Sequence, residues 1–160
     1  LVGSEMCIRD RELDARDTPV VLVLFGDHKP WMGNGGSVYE EMGIDFDTST
    51  LAGFRNYYAT PYLIWANRAA KEVLGADFTG DGGDFSPCFL MTRLFDACGW
   101  AGPGYMQLSR AMRDISPLLH TNGLFLHDGV LTSVLSDTDR SFYRSWLAVQ
   151  YYREHVAAYS

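Results

Sequence analysis

A continuous apolar run, PVVLVLF at residues 19–25, is the feature that most constrains the fold of this chain. It shows no alternation of apolar and polar residues, and it is rich in β-branched side chains. Such a run is typical of a strand buried on both faces, as in a parallel sheet covered by helices. It ends at GDHKPW, residues 26–31, where a glycine, a carboxylate and an imidazole stand side by side. The sequence therefore predicts a buried strand whose carboxyl end carries polar chemistry.

Asp27 and His28 are the two residues at this strand end with metal-binding side chains. In open α/β sheets, ligands bind outside the carboxyl ends of the strands. Past a strand end, adjacent side chains need not alternate faces, so the carboxylate and the imidazole can converge on one ion. An oxygen and nitrogen pair suits Zn²⁺ or Mn²⁺ better than Ca²⁺. The residues alone leave two interpretations open, half of a metal site or an ordinary polar turn.

The region after this turn predicts a loop, a second strand and a short helix. Residues 30–50 are rich in Gly, Asn, Ser and Thr, which favours a long surface loop with one helical turn. TPYLIWAN, residues 60–67, predicts a second buried strand. Asn67 can cap the following segment RAAKEVL, and Gly75 can end it, so a short helix is expected there.

The second half of the chain predicts three helices and a hairpin. Ser86 is a suitable N-cap for a helix over residues 87–98, and weaker signals predict a helix over 105–115. A hairpin turning at Asp128-Gly129 and a final helix over 138–155 complete the pattern. The helix over 87–98 carries an apolar stripe expected to face a core: Leu90, Met91, Leu94, Phe95 and Cys98.

Composition limits the classes of partner. The 160 residues are 47% hydrophobic, which is enough for the core of one domain. The net charge is −7, from 13 Lys and Arg against 20 Asp and Glu. A nucleic-acid binder needs a cationic face, so no nucleic-acid partner is expected. An anionic substrate would need positive charge from another source, and a bound metal ion supplies it.

The opening segment LVGSEMCIRDR, residues 1–11, has no initiator Met and no helical or strand period. It resembles the translated read-through of a sequencing adapter, so residues 1–11 are expected to be non-native sequence. No apolar run reaches the roughly 18 residues that span a bilayer, and no signal peptide is recognised. Two long strands are few for a sheet, which usually has about five. Residues 12–160 are therefore expected to be the C-terminal part of a larger domain.

Four segments together resemble the C-terminal part of the lipoteichoic acid synthase-like sulfatases, which are membrane-anchored phosphoglycerol transferases of the alkaline phosphatase superfamily. The segments are PVVLVLFGDHKPW, YYATPYLIWAN, SPCFLMTRLFDACGW and LAVQYYREH. They occur in the family's order, and the resemblance as a whole covers nearly everything from about residue 14 to 155. The resemblance implies an α/β fold, the C-terminal portion of an alkaline phosphatase/sulfatase-like α/β/α sandwich with an incomplete sheet.

The resemblance also implies a site. The family's Gly-Asp-His motif falls on Gly26, Asp27 and His28, and it makes Asp27 and His28 metal ligands. The implied cofactor is a divalent metal, with Mn²⁺ favoured and Zn²⁺ or Mg²⁺ as alternatives. The family's other ligands, a Glu and the nucleophilic Thr, lie upstream and have no counterpart here, so no catalytic nucleophile is expected in this chain. Lys29 and Trp31 flank the motif and are candidate substrate-binding residues.

The implied activity is transfer of glycerol phosphate from a phosphatidylglycerol-type lipid to an extracytoplasmic glycerol-phosphate polymer. The implied partners are this anionic lipid or glycerol-phosphate substrate and the membrane, reached through N-terminal helices, which places the protein on the extracytoplasmic face of the cell membrane. The alternatives are a sulfatase or phosphodiesterase of the same superfamily, or a non-catalytic interaction domain on the same fold. With half of the ligand set, the 160-residue chain is expected to be inactive and to bind Mn²⁺ weakly.

Overall fold

The structure, a computed structural model, describes residues 11–156 of the chain. Within them, helices and two small antiparallel sheets form a mixed α/β arrangement, which confirms the predicted class in its general form. The expectation that residues 1–11 are non-native concerns residues outside this range, except for Arg11, and stays a prediction. In the described part of the chain, no helix has both the length and the apolar character needed to cross a bilayer.

The chain divides into two compact units. The first, called the N-terminal unit, runs as far as Asp81 and includes Ala97–Gly99. The second, called the C-terminal unit, contains Gly82–Asp96 and the residues from Trp100 onward. GDHKPW lies wholly in the N-terminal unit, so the candidate site is formed within that unit.

The N-terminal unit is built on a two-stranded antiparallel sheet with short helices around it. After a helical segment at residues 11–14, its elements are β1 (Val21–Phe25), a 3-10 turn (Asn34–Gly36), α1 (Ser37–Glu41), α2 (Leu51–Tyr58), β2 (Tyr62–Ala66) and α3 (Arg68–Leu74). β1 pairs with β2 so that Val21 faces Ala66 and Phe25 faces Tyr62. Both predicted strands are therefore present, and they are direct neighbours.

The prediction of a parallel-type strand buried on both faces is wrong. β1 and β2 run antiparallel, and the end of β1 is open to solvent, with Phe25 63% exposed. The chain between the strands returns to the carboxyl end of β1, where the Gly26 N–H donates to the Pro61 carbonyl at 2.9 Å. β2 must then run back along β1, because a parallel partner would require a crossover to the other end of the strand.

One helical segment, the 3-10 turn and α1, interrupts the predicted loop over 30–50, as expected, but α2 was not predicted. The Thr50 hydroxyl caps α2 by accepting from the Gly53 N–H at 3.0 Å. A Cβ added at Gly53 would lie 2.1 Å from the Asp47 carbonyl oxygen, so only glycine fits this close approach. Glycine has a low helix propensity, so its presence inside α2 makes this helix hard to predict from sequence. The close contact with Asp47 nevertheless requires glycine at this position.

Asn67 is fully buried and connects three segments of the N-terminal unit. Its side-chain oxygen accepts from the Ala70 N–H, which confirms the predicted cap of α3, and from the Val20 N–H just before β1, both at 2.9 Å. Gly75 ends α3 in the left-handed conformation, also as predicted. The Asn67 amide nitrogen donates to three carbonyls of the entering chain, at 3.0–3.2 Å: Leu13, Arg16 and Thr18.

The C-terminal unit consists of helices and a hairpin. Its elements in chain order are a 3-10 turn (Pro87–Phe89), α4 (Leu90–Ala97), α5 (Gly104–Ile115), β3 (Phe125–His127), β4 (Val130–Thr132) and α6 (Asp137–His155). α5, the hairpin and α6 agree with the predicted elements to within a few residues. Asp128 and Gly129 both have positive φ, 49° and 78°, as a two-residue type I′ hairpin turn requires.

The helix predicted over 87–98 differs from the structure at its start. Its first turn is a 3-10 helix, and the Ser86 hydroxyl does not cap it. That hydroxyl instead donates to the Leu119 carbonyl and accepts from the Leu119 N–H, at 3.0 and 2.8 Å. Met91, expected in the apolar stripe, is 47% exposed, while Thr92 is buried. The Ser86 hydroxyl therefore bonds the backbone of a residue far away in sequence, Leu119, instead of capping the helix as the local sequence predicted.

The core of the C-terminal unit forms where α5 and α6 meet the 3-10 turn. Phe89, Met112 and Trp146 are almost completely buried there, and the Trp146 Nε1–H donates to the Ser109 hydroxyl at 2.9 Å. Since a buried indole N–H needs a partner, this bond fixes α6 against α5. The half-buried residues packed around the core are Phe85, Leu108, Ile115, Leu119, Phe142 and Tyr143.

An ion-pair cluster joins α4 to α5 beside this core. Asp96 accepts from Arg110 Nε and from Arg113 Nη2, both at 2.6 Å, and all three side chains are largely shielded from solvent. Burial raises the pKa of Asp96, but the hydrogen bonds and charges of Arg113 and Arg110 outweigh it and hold that pKa below its ordinary value. The ionised carboxylate is therefore the form that the folded unit stabilises.

Replacing Asn67 by Asp should destabilise the N-terminal unit by about 3 kcal/mol or more, because a buried carboxylate would face three carbonyl oxygens. Urea unfolding followed by far-UV circular dichroism measures the loss. Asn122→Asp makes the same chemical change at an exposed residue and should leave the unfolding midpoint nearly unchanged. Equal midpoints for the two variants would contradict the role given to Asn67.

Asp96→Asn should lower the stability of the chain by about 2 kcal/mol at pH 7, because it removes two charge-assisted hydrogen bonds. The folded-state pKa of Asp96 lies below the ordinary value of 3.8. The stabilisation is therefore present above about pH 4 and is lost as the pH falls through the folded-state pKa. Urea midpoints measured from pH 7 to 2 should converge for variant and wild type at the acid end. Asp114→Asn, an exposed carboxylate beside Arg113, is the control and should follow wild type throughout.

Candidate metal site at the end of β1

The turn that follows β1 is held by bonds to the backbone of Gly26. Its N–H donates to the Pro61 carbonyl at 2.9 Å, and its carbonyl accepts from the Thr60 hydroxyl at 2.7 Å. A Cβ added at Gly26 would lie 2.9 Å from the Thr60 Cβ, closer than real side chains approach. Glycine is thus required here for close packing. This packing fixes the position of the backbone from which Asp27 follows.

The same turn is attached to α1 and α2 by two further bonds. The Lys29 ammonium donates to the Asn56 carbonyl in the last turn of α2, where a cation also interacts favourably with the helix dipole. The Tyr39 hydroxyl of α1 donates to the Pro30 carbonyl at 2.5 Å. Lys29 is half-buried by this arrangement, and its predicted contact with substrate stays a prediction.

Asp27 and His28 are brought together with their side chains open to solvent. Asp27 Oδ2 and His28 Nε2 are 3.7 Å apart, and the side chains are 94% and 81% exposed. His28 Nδ1 lies 3.1 Å from the Lys29 carbonyl. The tautomer with its proton on Nδ1 donates to this carbonyl and leaves the Nε2 lone pair for ligation, as metal-binding histidines do.

This pair fits two positions of a metal centre. Two ligand atoms about 2.1 Å from one ion are roughly 3.0–3.4 Å apart in octahedral or tetrahedral geometry, so a small rotation of the exposed side chains closes the difference. An oxygen and a nitrogen ligand match Mn²⁺ and Zn²⁺. Within residues 11–156, however, no group of three or more His, Cys, Asp or Glu is placed to hold a metal ion.

Trp31, three residues after His28 in sequence, is the exposed end of an aromatic cluster. Its indole is 59% exposed and meets Tyr57 edge-on, with ring centroids 6.1 Å apart. Tyr57 packs in turn on Phe46, and Phe46 packs on Tyr39, at centroid distances of 5.5 and 4.9 Å. Trp31 is thus oriented by its neighbours while part of its surface remains open. Its predicted contact with substrate stays a prediction.

Sequence reasoning missed the residues that support the turn. Thr60, Asn56 and Tyr39 lie 9 to 34 residues from the groups they bond, so no local spacing indicated them. One local signal was available at Pro61, which lacks an N–H and therefore leaves the Gly26 carbonyl in need of another donor. The Thr60 hydroxyl, one residue before, meets that need.

A second His–Asp pair in the C-terminal unit offers a comparison. His127 Nε2 and Asp128 Oδ2 are also 3.7 Å apart, at the hairpin turn. His127 Nδ1 lies 3.0 Å from the Ile115 carbonyl, and this hydrogen bond, aided by the charges of Asp128 and Asp139, raises the pKa of His127. His127 thus has a structural role in closing the hairpin onto the end of α5.

Gly26→Ala should displace the turn and destabilise the chain by about 1–3 kcal/mol, because the added methyl group overlaps the Thr60 side chain. Gly104→Ala is the matched control, since a Cβ added at Gly104 meets no atom within 4 Å. Thermal unfolding compares the two variants, and the amide chemical shifts of Asp27 and His28 report the displacement. If both variants melt together and these shifts stay unchanged, the packing at Gly26 does not position the site.

No protein-family model, curated protein or solved structure matches the chain. The resemblance to the lipoteichoic acid synthase-like sulfatases therefore stays a prediction from the sequence motifs at 19–31, 57–67, 86–100 and 147–155. The geometry of Asp27 and His28 is an independent observation, and it is the one on which a function is inferred.

Proposed function

We propose that the chain supplies Asp27 and His28 as two ligands of a divalent metal centre, Mn²⁺ by preference, in a phosphoglycerol transferase of the lipoteichoic acid synthase-like type. The observation that carries the proposal is the 3.7 Å approach of Asp27 Oδ2 and His28 Nε2 on a turn held at Gly26, Lys29 and Pro30. The substrate proposed is an anionic lipid with a glycerol-phosphate head group, used at the extracytoplasmic face of the membrane. The fold proposed for the whole enzyme is the α/β/α sandwich of the alkaline phosphatase superfamily.

In this site, hydrogen bonds fix the backbone of the turn, while the side chains of the two candidate ligands are exposed to solvent. Backbone bonds at Gly26 and Pro30 and the Lys29 ammonium hold the turn in place. The turn therefore does not depend on the side chains of Asp27 and His28 for its position. Such separation suits ligation, since ligands should be oriented by bonds that ligation itself does not break.

The Asp27 carboxylate supplies a negatively charged oxygen ligand, and His28 supplies a neutral nitrogen whose orientation the Lys29 carbonyl sets. A bound divalent ion contributes Lewis acidity toward a phosphodiester oxygen and toward a hydroxyl nucleophile. It also offsets the acidic balance of the chain, whose net charge of −7 would otherwise repel an anionic ester. The nucleophile and the remaining ligands are assigned to sequence outside residues 1–160.

The 160-residue chain should bind Mn²⁺ weakly and at residues 26–29, because two ligands give little affinity. Paramagnetic broadening of amide resonances during a Mn²⁺ titration locates the ion. Asp27→Ala and His28→Ala should each remove the broadening at this turn without changing the unfolding midpoint, since neither side chain is buried. In the full-length protein, either variant should reduce metal-dependent glycerol-phosphate transfer at least 100-fold.

Asp128→Ala is the matched control, because it removes a carboxylate at the same 3.7 Å distance from a histidine in the other unit. Broadening at residues 26–29 should persist in that variant. Broadening at residues 26–29 that survives Asp27→Ala would contradict the ligand assignment. Full-length protein that keeps its metal but transfers no phosphoglycerol would favour a sulfatase or phosphodiesterase. If the wild-type full-length protein bound no metal at all, a non-catalytic interaction domain would be favoured.

A further inference from the structure

The Lys29 side chain is bonded to the C-terminal end of α2. Its ammonium donates to the Asn56 carbonyl in the last turn of that helix, where carbonyls lack partners within the helix. Asn56 is itself held, because its side-chain amide donates to the Asp45 carbonyl at 2.9 Å. An ammonium left free beside two metal ligands would repel the ion, whereas the negative end of the α2 dipole stabilises it. The bond to α2 therefore gives Lys29 a role that requires no substrate.

The backbone of Lys29 is fixed on its other side by Pro30. A residue before proline is restricted to extended conformations, and the Pro30 carbonyl accepts from the Tyr39 hydroxyl at 2.5 Å. The Lys29 carbonyl lies between these two anchors and therefore has a defined direction. His28 Nδ1 lies 3.1 Å from this carbonyl. The surroundings of one ring nitrogen of His28 thus depend on how Lys29 is held.

This contact selects one tautomer of His28. A carbonyl only accepts hydrogen bonds, so the contact requires the proton on Nδ1. The opposite tautomer would place the Nδ1 lone pair against the carbonyl oxygen and the proton on Nε2. Nε2 is the atom that lies 3.7 Å from Asp27 Oδ2 and is free to bind an ion only without that proton. An unconstrained histidine in water favours the Nε2–H tautomer, so the metal-binding form needs a fixed acceptor such as the Lys29 carbonyl.

We propose that Lys29 is a positioning residue of the metal site. Its ammonium anchors the turn to α2, and its carbonyl holds His28 as the tautomer that binds a metal ion. The inference rests on the proposed function for the ion and gives Lys29 a role other than the predicted contact with substrate. The tautomer exists without metal, so the hold on His28 can be measured separately from ligation.

Nitrogen chemical shifts of the histidine rings report the tautomer in the metal-free 160-residue chain. At about pH 8.5, well above the ordinary histidine pKa of about 6.5, His28 should be mainly the Nδ1–H tautomer in wild type. Lys29→Met removes the ammonium and should shift the tautomer ratio about 5-fold toward Nε2–H, the effect of one lost hydrogen bond. Lys29→Arg, which can still donate to the Asn56 carbonyl, should keep the wild-type ratio.

Two controls separate this effect from a general one. Lys71→Met makes the same change at the other lysine of the chain and should leave the His28 tautomer unchanged. His127 is an internal reference, because its Nδ1 lies 3.0 Å from the Ile115 carbonyl in the C-terminal unit. Its tautomer should be the same in wild type and in Lys29→Met.

Mn²⁺ binding gives a second readout, in which two effects have opposite signs. Removing a positive charge should by itself tighten Mn²⁺ binding, whereas loss of positioning should weaken it. The Mn²⁺ concentration that half-broadens residues 26–29 should therefore rise about 10-fold in Lys29→Met and should not rise in Lys71→Met. In the full-length protein, excess Mn²⁺ should restore most of the transfer that Lys29→Met loses, with KM for the lipid unchanged.

Wild type that holds His28 mainly as Nε2–H would overturn the proposal, even if Lys29→Met does not fold. An unchanged tautomer ratio and Mn²⁺ midpoint in Lys29→Met would also overturn it, and a raised KM in that variant would then support the substrate contact. If Lys29→Met releases the ring but Mn²⁺ broadens neither protein, the hold of Lys29 on His28 is supported and the proposed function is contradicted.

Discussion

The buried side-chain amide of Asn67 is the interaction on which the N-terminal unit depends. Its oxygen starts α3 and receives the Val20 N–H, and its nitrogen binds three carbonyls of the chain that enters β1. These groups include the N–H of Ala70, a fully buried residue, and a buried N–H without a partner costs about 1–3 kcal/mol. Because one side chain satisfies all of them, the start of β1 and the end of β2 are fixed together. The register of the sheet follows from that junction, and the register places Gly26 opposite Pro61.

The two ends of the β1–β2 ladder use the same device. At one end the Asn67 side chain replaces a backbone acceptor for Val20, and at the other the Thr60 hydroxyl replaces the N–H that Pro61 lacks. Polar side chains therefore set the length of the ladder, although apolar side chains form the strands. Asp27 is the first residue beyond the last ladder bond. The side chains of Asp27 and His28 are exposed because both residues lie beyond the end of the β1–β2 ladder.

Local signals predicted much of this fold because they act over a few residues. The cap at Asn67, the left-handed Gly75 and the Asp128-Gly129 turn all appear where the sequence placed them. Strand direction was not predictable, since an apolar β-branched run indicates burial and is silent on its partner. The sequence indicated that the side chains of Asp27 and His28 could converge at the end of β1. It did not indicate the Lys29 bond to α2 or the Tyr39 bond to Pro30. Those contacts join residues far apart in sequence, and only the folded chain brings them together.

The uncharged edge of β1 also bears on the proposed sandwich. A larger sheet needs further strands beside β1 or β2. The even-numbered residues of β1 bond to β2, so the backbone groups of Val21, Val23 and Phe25 are directed away from β2 and are where a strand beside β1 would bond. Such a strand would leave Asp27 and His28 beyond the paired residues, because Pro19 and Gly26 bound the stretch that can pair. The availability of the candidate ligands thus does not depend on what covers the sheet.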